Sequence, residues 1–62
     1  MNLEKEELTI IRLTLKGLKN AEIGEILGYC ESSIKKKISK IYKKFNVAKR
    51  IELATKFTSI IN

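Results

Sequence analysis

The sequence predicts an all-α fold of four helices, over about residues 3–16, 20–27, 31–45 and 50–60, in one domain spanning residues 1–62. Three observations predict it. Apolar residues recur along the chain in stripes at three- and four-residue spacing, the period of a helix with one buried face. The stripes are interrupted at Lys16-Gly17, Gly28-Tyr29-Cys30 and Asn46-Val47-Ala48, each a short break with a residue suited to ending a helix. The stretch Glu31–Asn46, ESSIKKKISKIYKKFN, is two-faced: Ile34, Ile38, Ile41 and Phe45 stack on one side, and Ser32, Lys35, Lys36, Ser39, Lys40 and Lys43 gather on the other.

In the first segment Leu8, Ile11, Leu15 and Leu18 form a core-facing stripe that Ile10 widens. Asn2 is a candidate N-cap, and Glu4, Glu6 and Glu7 fill a first turn where the helix dipole favours negative charge. In the second, Asn20 is the candidate cap, Ile23, Ile26 and Leu27 face inward, and Gly28 ends the helix. Gly24 sits mid-helix, at a cost of about 1 kcal/mol relative to alanine. Either another helix crosses closely there, or the glycine is tolerated drift. A short helix, a glycine-led turn and a longer helix make a helix-turn-helix, and the long helix would span about 24 Å, of a diameter that the DNA major groove admits. The last segment places Ile51, Ala54, Phe57 and Ile61 on one stripe, with Leu53 and Ile60 beside it. A chain this short cannot bury all of them, so Leu53, Phe57, Ile60 and Ile61 are the candidates for a homodimer surface.

Charge narrows the function. The net charge is +6, but residues 31–50 alone carry seven lysines and Arg50 against Glu31, a local excess of +7. Lys35, Lys36 and Lys37 lie near a helix start, where each exposed cation is unfavourable by about 0.3–1 kcal/mol. A phosphate backbone reverses that sign, which makes double-stranded DNA the expected partner. With no histidine and one cysteine, the usual parts of metal sites, disulfide frameworks and catalytic triads are missing, and no cofactor or small-molecule ligand is implied. The chain reads as a non-enzyme, without signal peptide or membrane span, working in the cytoplasm. Cys30 has two readings, a redox-sensitive thiol at a helix start or a small residue buried in the turn. Tyr29 and Tyr42 read as core edges rather than base-stacking platforms.

Lys16-Gly17-Leu18, Asn20-Ala21-Glu22-Ile23-Gly24-Glu25-Ile26-Leu27-Gly28, Glu31-Ser32-Ser33-Ile34-Lys35, and Val47 followed by Arg50-Ile51-Glu52-Leu53-Ala54 together resemble the LuxR-type (GerE-like) helix-turn-helix domain of bacterial transcription regulators. The resemblance runs without a gap from Leu3 to about Ala54. It implies four helices, the third entering the major groove and the fourth commonly forming the dimer. By position, it implies base reading by Lys35, Lys36 and Ser39, and phosphate holding by Ser33, Lys40 and Lys43. Asn20, Lys49 and Arg50 would approach the backbone from the starts of helices two and four, where free N–H groups suit phosphate. Glu7 matches an acidic position of the family, and equally suits the first-turn dipole. Relatives often cap with Ser or Thr where this chain has Glu4, Lys19, Cys30 and Lys49. Helices three and four are therefore expected to be poorly capped, at about 1 kcal/mol per lost cap, and the monomer marginal until a dimer or DNA stabilises it. Lys36 stands where the family is frequently apolar; a lysine there favours guanine or phosphate over a thymine methyl.

The leading expectation is a sequence-specific transcription regulator that binds an inverted repeat as a homodimer. Met1 favours a complete protein over an excised output domain. The alternatives are a sigma-factor region-four-like module that also touches RNA polymerase, and an adaptor whose basic helix docks on an acidic protein.

Overall fold

A computed structural model describes the backbone of residues 3–61 and the side chains of residues 3–59. Helices α1 (Lys5–Leu15), α2 (Asn20–Leu27), α3 (Glu31–Phe45) and α4 (Arg50–Ile61) follow one another through short turns. All four expected helices are present, although α1 begins later than residue 3. Asn2, the cap proposed for α1, and the side chains of Ile60 and Ile61 lie outside the described residues.

Three helices begin with the same device. Glu7 accepts the N–H of Glu4 at 3.0 Å, Glu22 that of Lys19 at 2.8 Å, and Glu52 those of Lys49 and Ala48 at 3.2 Å each. Each glutamate stands three residues after its N-cap and closes back on it, satisfying a backbone donor that the helix leaves unpaired. This corrects the expectation for α2, whose N-cap is Lys19 and whose first residue is Asn20. It also corrects the expectation for α4, whose start is capped through Glu52. Only the α3 expectation holds: Cys30 heads it in an extended conformation without a side-chain cap. At the other ends, Leu18 N–H reaches Leu13 O and Val47 N–H reaches Tyr42 O, the long bonds that close α1 and α3, with Asn46 in the left-handed region at φ 55°.

The core is a contribution from every helix: Ile10 and Ile11, Ile23, Ile34, Ile41 and Phe45, then Leu53 and Phe57. Around it pack Leu8, Leu15, Leu18, Leu27, Ile38 and Tyr42. The inward line of α1 is thus centred on Ile10, Ile11 and the buried Thr14 rather than on Leu8 and Leu15. Ile26, placed on the inner face of α2 from sequence, is 59 % exposed. The largest revision concerns α4. Leu53 and Phe57, two of the expected dimer residues, are buried in the monomer, and Phe57 meets Phe45 with ring centroids 6.4 Å apart. Ile51 is instead 78 % exposed. It precedes Leu53 by two residues, about 200° around the helix, so the two cannot share a face.

Gly24 resolves differently from either sequence reading. What approaches it is the turn that follows its own helix: a Cβ built there would lie 2.4 Å from the backbone oxygen of Tyr29. Gly28, left-handed at φ 82°, turns the chain back, and the N–H groups of Gly28 and Tyr29 both donate to Gly24 O, at 2.7 and 2.8 Å. Gly24→Ala gains about 1 kcal/mol of helix propensity but forces backbone to move, which costs more; a net loss of about 1–2 kcal/mol is expected in urea denaturation, and a gain would show that the turn yields freely.

Candidate nucleic-acid interface

Burial of Ile34, Ile41 and Phe45 fixes how α3 faces the solvent. Once those three are inside, the helical period carries Lys35, Lys36, Ser39, Lys40 and Lys43 outward, and all five are exposed. Lys36 and Lys40 line a shallow depression together with Ser33 and Lys37, which joins one expected base reader to two expected phosphate holders. Lys40 and Lys43 also border a deeper groove between α1 and α3, of about 380 Å³, whose opposite wall is Glu4, Glu6 and Glu7 with Ile10 at its floor.

The six lysines of α3 fall into two populations. Lys37 and Lys44 are tied to α1. Lys37 Nζ lies 3.0 Å from Glu6 and 4.7 Å from the centre of the Tyr29 ring; Lys44 Nζ lies 2.8 Å from both carboxylate oxygens of Glu7. Tyr29 completes the first cluster by donating its hydroxyl to Glu6. Lys35, Lys36, Lys40 and Lys43 form no ion pair among the described residues, so their charge is available to a ligand.

Protonation follows the contacts. Hydrogen bonds from Tyr29 and then Lys37 hold the Glu6 carboxyl below its ordinary range, and the same contact pushes the Tyr29 phenol and the Lys37 ammonium up. Lys44 first, then the Glu4 N–H, lower Glu7. Glu7 thus serves both readings given to it from sequence: it closes the first turn of α1 and it anchors α3.

The remaining expected residues lie at helix starts. Asn20 opens α2, half-buried, and Lys49 and Arg50 are exposed where α4 begins. At both starts a glutamate already occupies a backbone donor, which lessens the pull of those ends on phosphate. Cys30 is exposed at the head of α3 rather than buried in the turn, and Tyr29 stands at the surface rather than at a core edge. The Glu6–Tyr29–Lys37 cluster had no signal in the sequence, because its members are 23 and 31 positions apart from Glu6.

The family model described as "Bacterial regulatory proteins, luxR family" matches residues 1–57. The chain belongs to the LuxR family. That match covers most of the chain, and it contains the whole helix-turn-helix and the basic face of α3. No curated protein and no solved structure matches this LuxR-family chain. No helix among its described residues is long and apolar enough to cross a membrane.

A carboxyl whose pKa is lowered by folding stabilises the fold above its unfolded value and loses that contribution as pH falls through the folded value. The protein should therefore lose stability as pH drops below about 4.3, the unperturbed glutamate value, and Glu7→Gln should show a shallower loss. Parallel curves for the two proteins in acid denaturation would mean that Glu7 takes no part.

Proposed function

We propose that the chain is the DNA-reading domain of a transcription regulator, with α3 lying in the major groove and the four lysines without ion pairs facing DNA. The observation that carries this reading is the combination of LuxR-family membership with an outward face of α3 whose lysines form no ion pair among the described residues. Lys35, Lys36 and Ser39 read base edges. Ser33, Lys40 and Lys43 hold phosphates, with Asn20, Lys49 and Arg50 approaching the backbone from the flanking helix starts. Leu53 and Phe57 of the expected dimer surface are buried, and the self-association face proposed here is the outer side of α4. Ile51, Thr55 and Thr58, at i, i+4 and i+7, are exposed there. Two copies joined through that face would present two α3 helices to an inverted repeat.

Selection from random duplexes tests the whole reading: a palindromic winner bound far more tightly than its scramble supports it, and equal, steeply salt-dependent binding of both reduces α3 to a general phosphate grip. Lys36→Ala should cost about 1–3 kcal/mol on the selected site and relax preference at one position. Lys43→Ala should weaken every sequence alike and lower the salt slope by about one; the reverse pattern would exchange the two roles. Ile51→Glu should raise the dimer dissociation constant about tenfold or more in sedimentation equilibrium, because it places a charge in an apolar contact. An unchanged constant would place the dimer elsewhere.

A further inference from the structure

DNA reading by the outer face of α3 gives Glu6, Glu7, Tyr29, Lys37 and Lys44 no part in contacting the duplex. Lys37 and Lys44 are seven residues apart, so they stand on one line of the helix, about 20° apart around it and about 10 Å along it. That line is the flank turned toward α1, and α1 meets it with two consecutive carboxylates, Glu6 on Lys37 and Glu7 on Lys44. The groove between the helices has Lys37, Lys40, Lys43 and Lys44 along α3 and Glu6 and Glu7 along α1. The available positive charge therefore ends abruptly: a phosphate drawn round α3 past Lys40 or Lys43 arrives at lysines already paired with carboxylates.

We propose that Glu6 and Glu7 form an acidic edge that sets the sequence specificity of the domain. They hold Lys37 and Lys44 out of the phosphate grip, so that a DNA backbone rolling toward α1 finds no further cation free to hold it and α3 engages the duplex in one orientation. The inference rests on the DNA-binding reading above. Binding that ignores sequence depends on how many cations reach phosphate, in any orientation. Binding that reads bases needs Lys35, Lys36 and Ser39 face-on, which the edge does not obstruct. The edge thus suppresses the first kind of binding more than the second. Tyr29 fixes Glu6 and underlies Lys37, which makes it a positioning residue for the edge.

The test compares affinity and salt slope on a selected duplex and on a scrambled duplex of equal length. Glutamine keeps an oxygen to accept from Glu4 N–H and from Tyr29, so E6Q/E7Q retains those contacts while losing the charge. At about 0.1 M salt E6Q/E7Q should bind the scramble about tenfold or more tightly, with a slope steeper by about one to two, and the ratio of selected to scrambled affinity should fall. K37Q/K44Q, which leaves α1 untouched, should leave the slope of the otherwise unaltered protein unchanged, because those lysines are already withheld. Glu25→Gln, on the exposed side of α2, controls for net charge and should have a smaller effect than Glu7→Gln. The proposal is overturned if K37Q/K44Q flattens the slope by about two, if E6Q/E7Q leaves the scramble's affinity unchanged, or if Glu25→Gln matches Glu7→Gln. Binding of neither duplex by the unaltered protein would overturn the DNA-binding reading itself, and the edge with it.

Discussion

The angle between the two helices of the helix-turn-helix depends on one backbone approach. The Tyr29 carbonyl comes so close to Gly24 that any side chain at position 24 would collide with it. The two hydrogen bonds onto Gly24 O hold the turn in place from the other direction. Once the turn is pinned, Cys30 must head α3, and the register of α3 decides which residues meet the core. Ile34, Ile41 and Phe45 then go inward, and the lysines have no choice but to go outward. Functional geometry in this domain is thus a consequence of packing geometry, transmitted through a three-residue turn.

Electrostatics refines what packing sets up. A helix with six lysines and one glutamate would present a broad, undirected positive field. Two of those lysines are bound to α1 across the groove, which confines the available charge to one side of the helix. The carboxylates that do this are also first-turn residues of α1, so the same short segment stabilises its own helix start and shapes the charge of another helix.

Much of this was legible in the sequence, for reasons that are physical. The breaks at Gly17, Gly28 and Asn46 were readable because left-handed backbone conformations select their residues strongly, and all three are left-handed. The two faces of α3 were readable because its apolar and basic residues segregate cleanly on a 3.6-residue period. Where apolar residues cover more of the circumference, as in α4, the pattern leaves the buried direction undetermined: Leu53 and Phe57 go inward and Ile51 stays out, which periodicity alone does not decide. The caps at Glu22 and Glu52 were obscured because the cap positions themselves, Lys19 and Lys49, lack a side-chain acceptor; the glutamate three residues on was the signal. The pairing of Glu6 and Glu7 with Lys37 and Lys44 depends on how α1 and α3 come together, which no local pattern encodes.

The joint where α1, the turn and α3 meet has an optical consequence. The chain has no tryptophan and two tyrosines, so its near-ultraviolet emission comes from Tyr29 and Tyr42. A phenol that donates to a carboxylate emits weakly, because the excited state loses its proton readily to that acceptor. Tyr29 is such a phenol, through Glu6, and Tyr42 is half-buried against the core. Loosening the joint would therefore brighten one fluorophore without disturbing the other, giving the protein a built-in, label-free signal for the state of the surface beside α3.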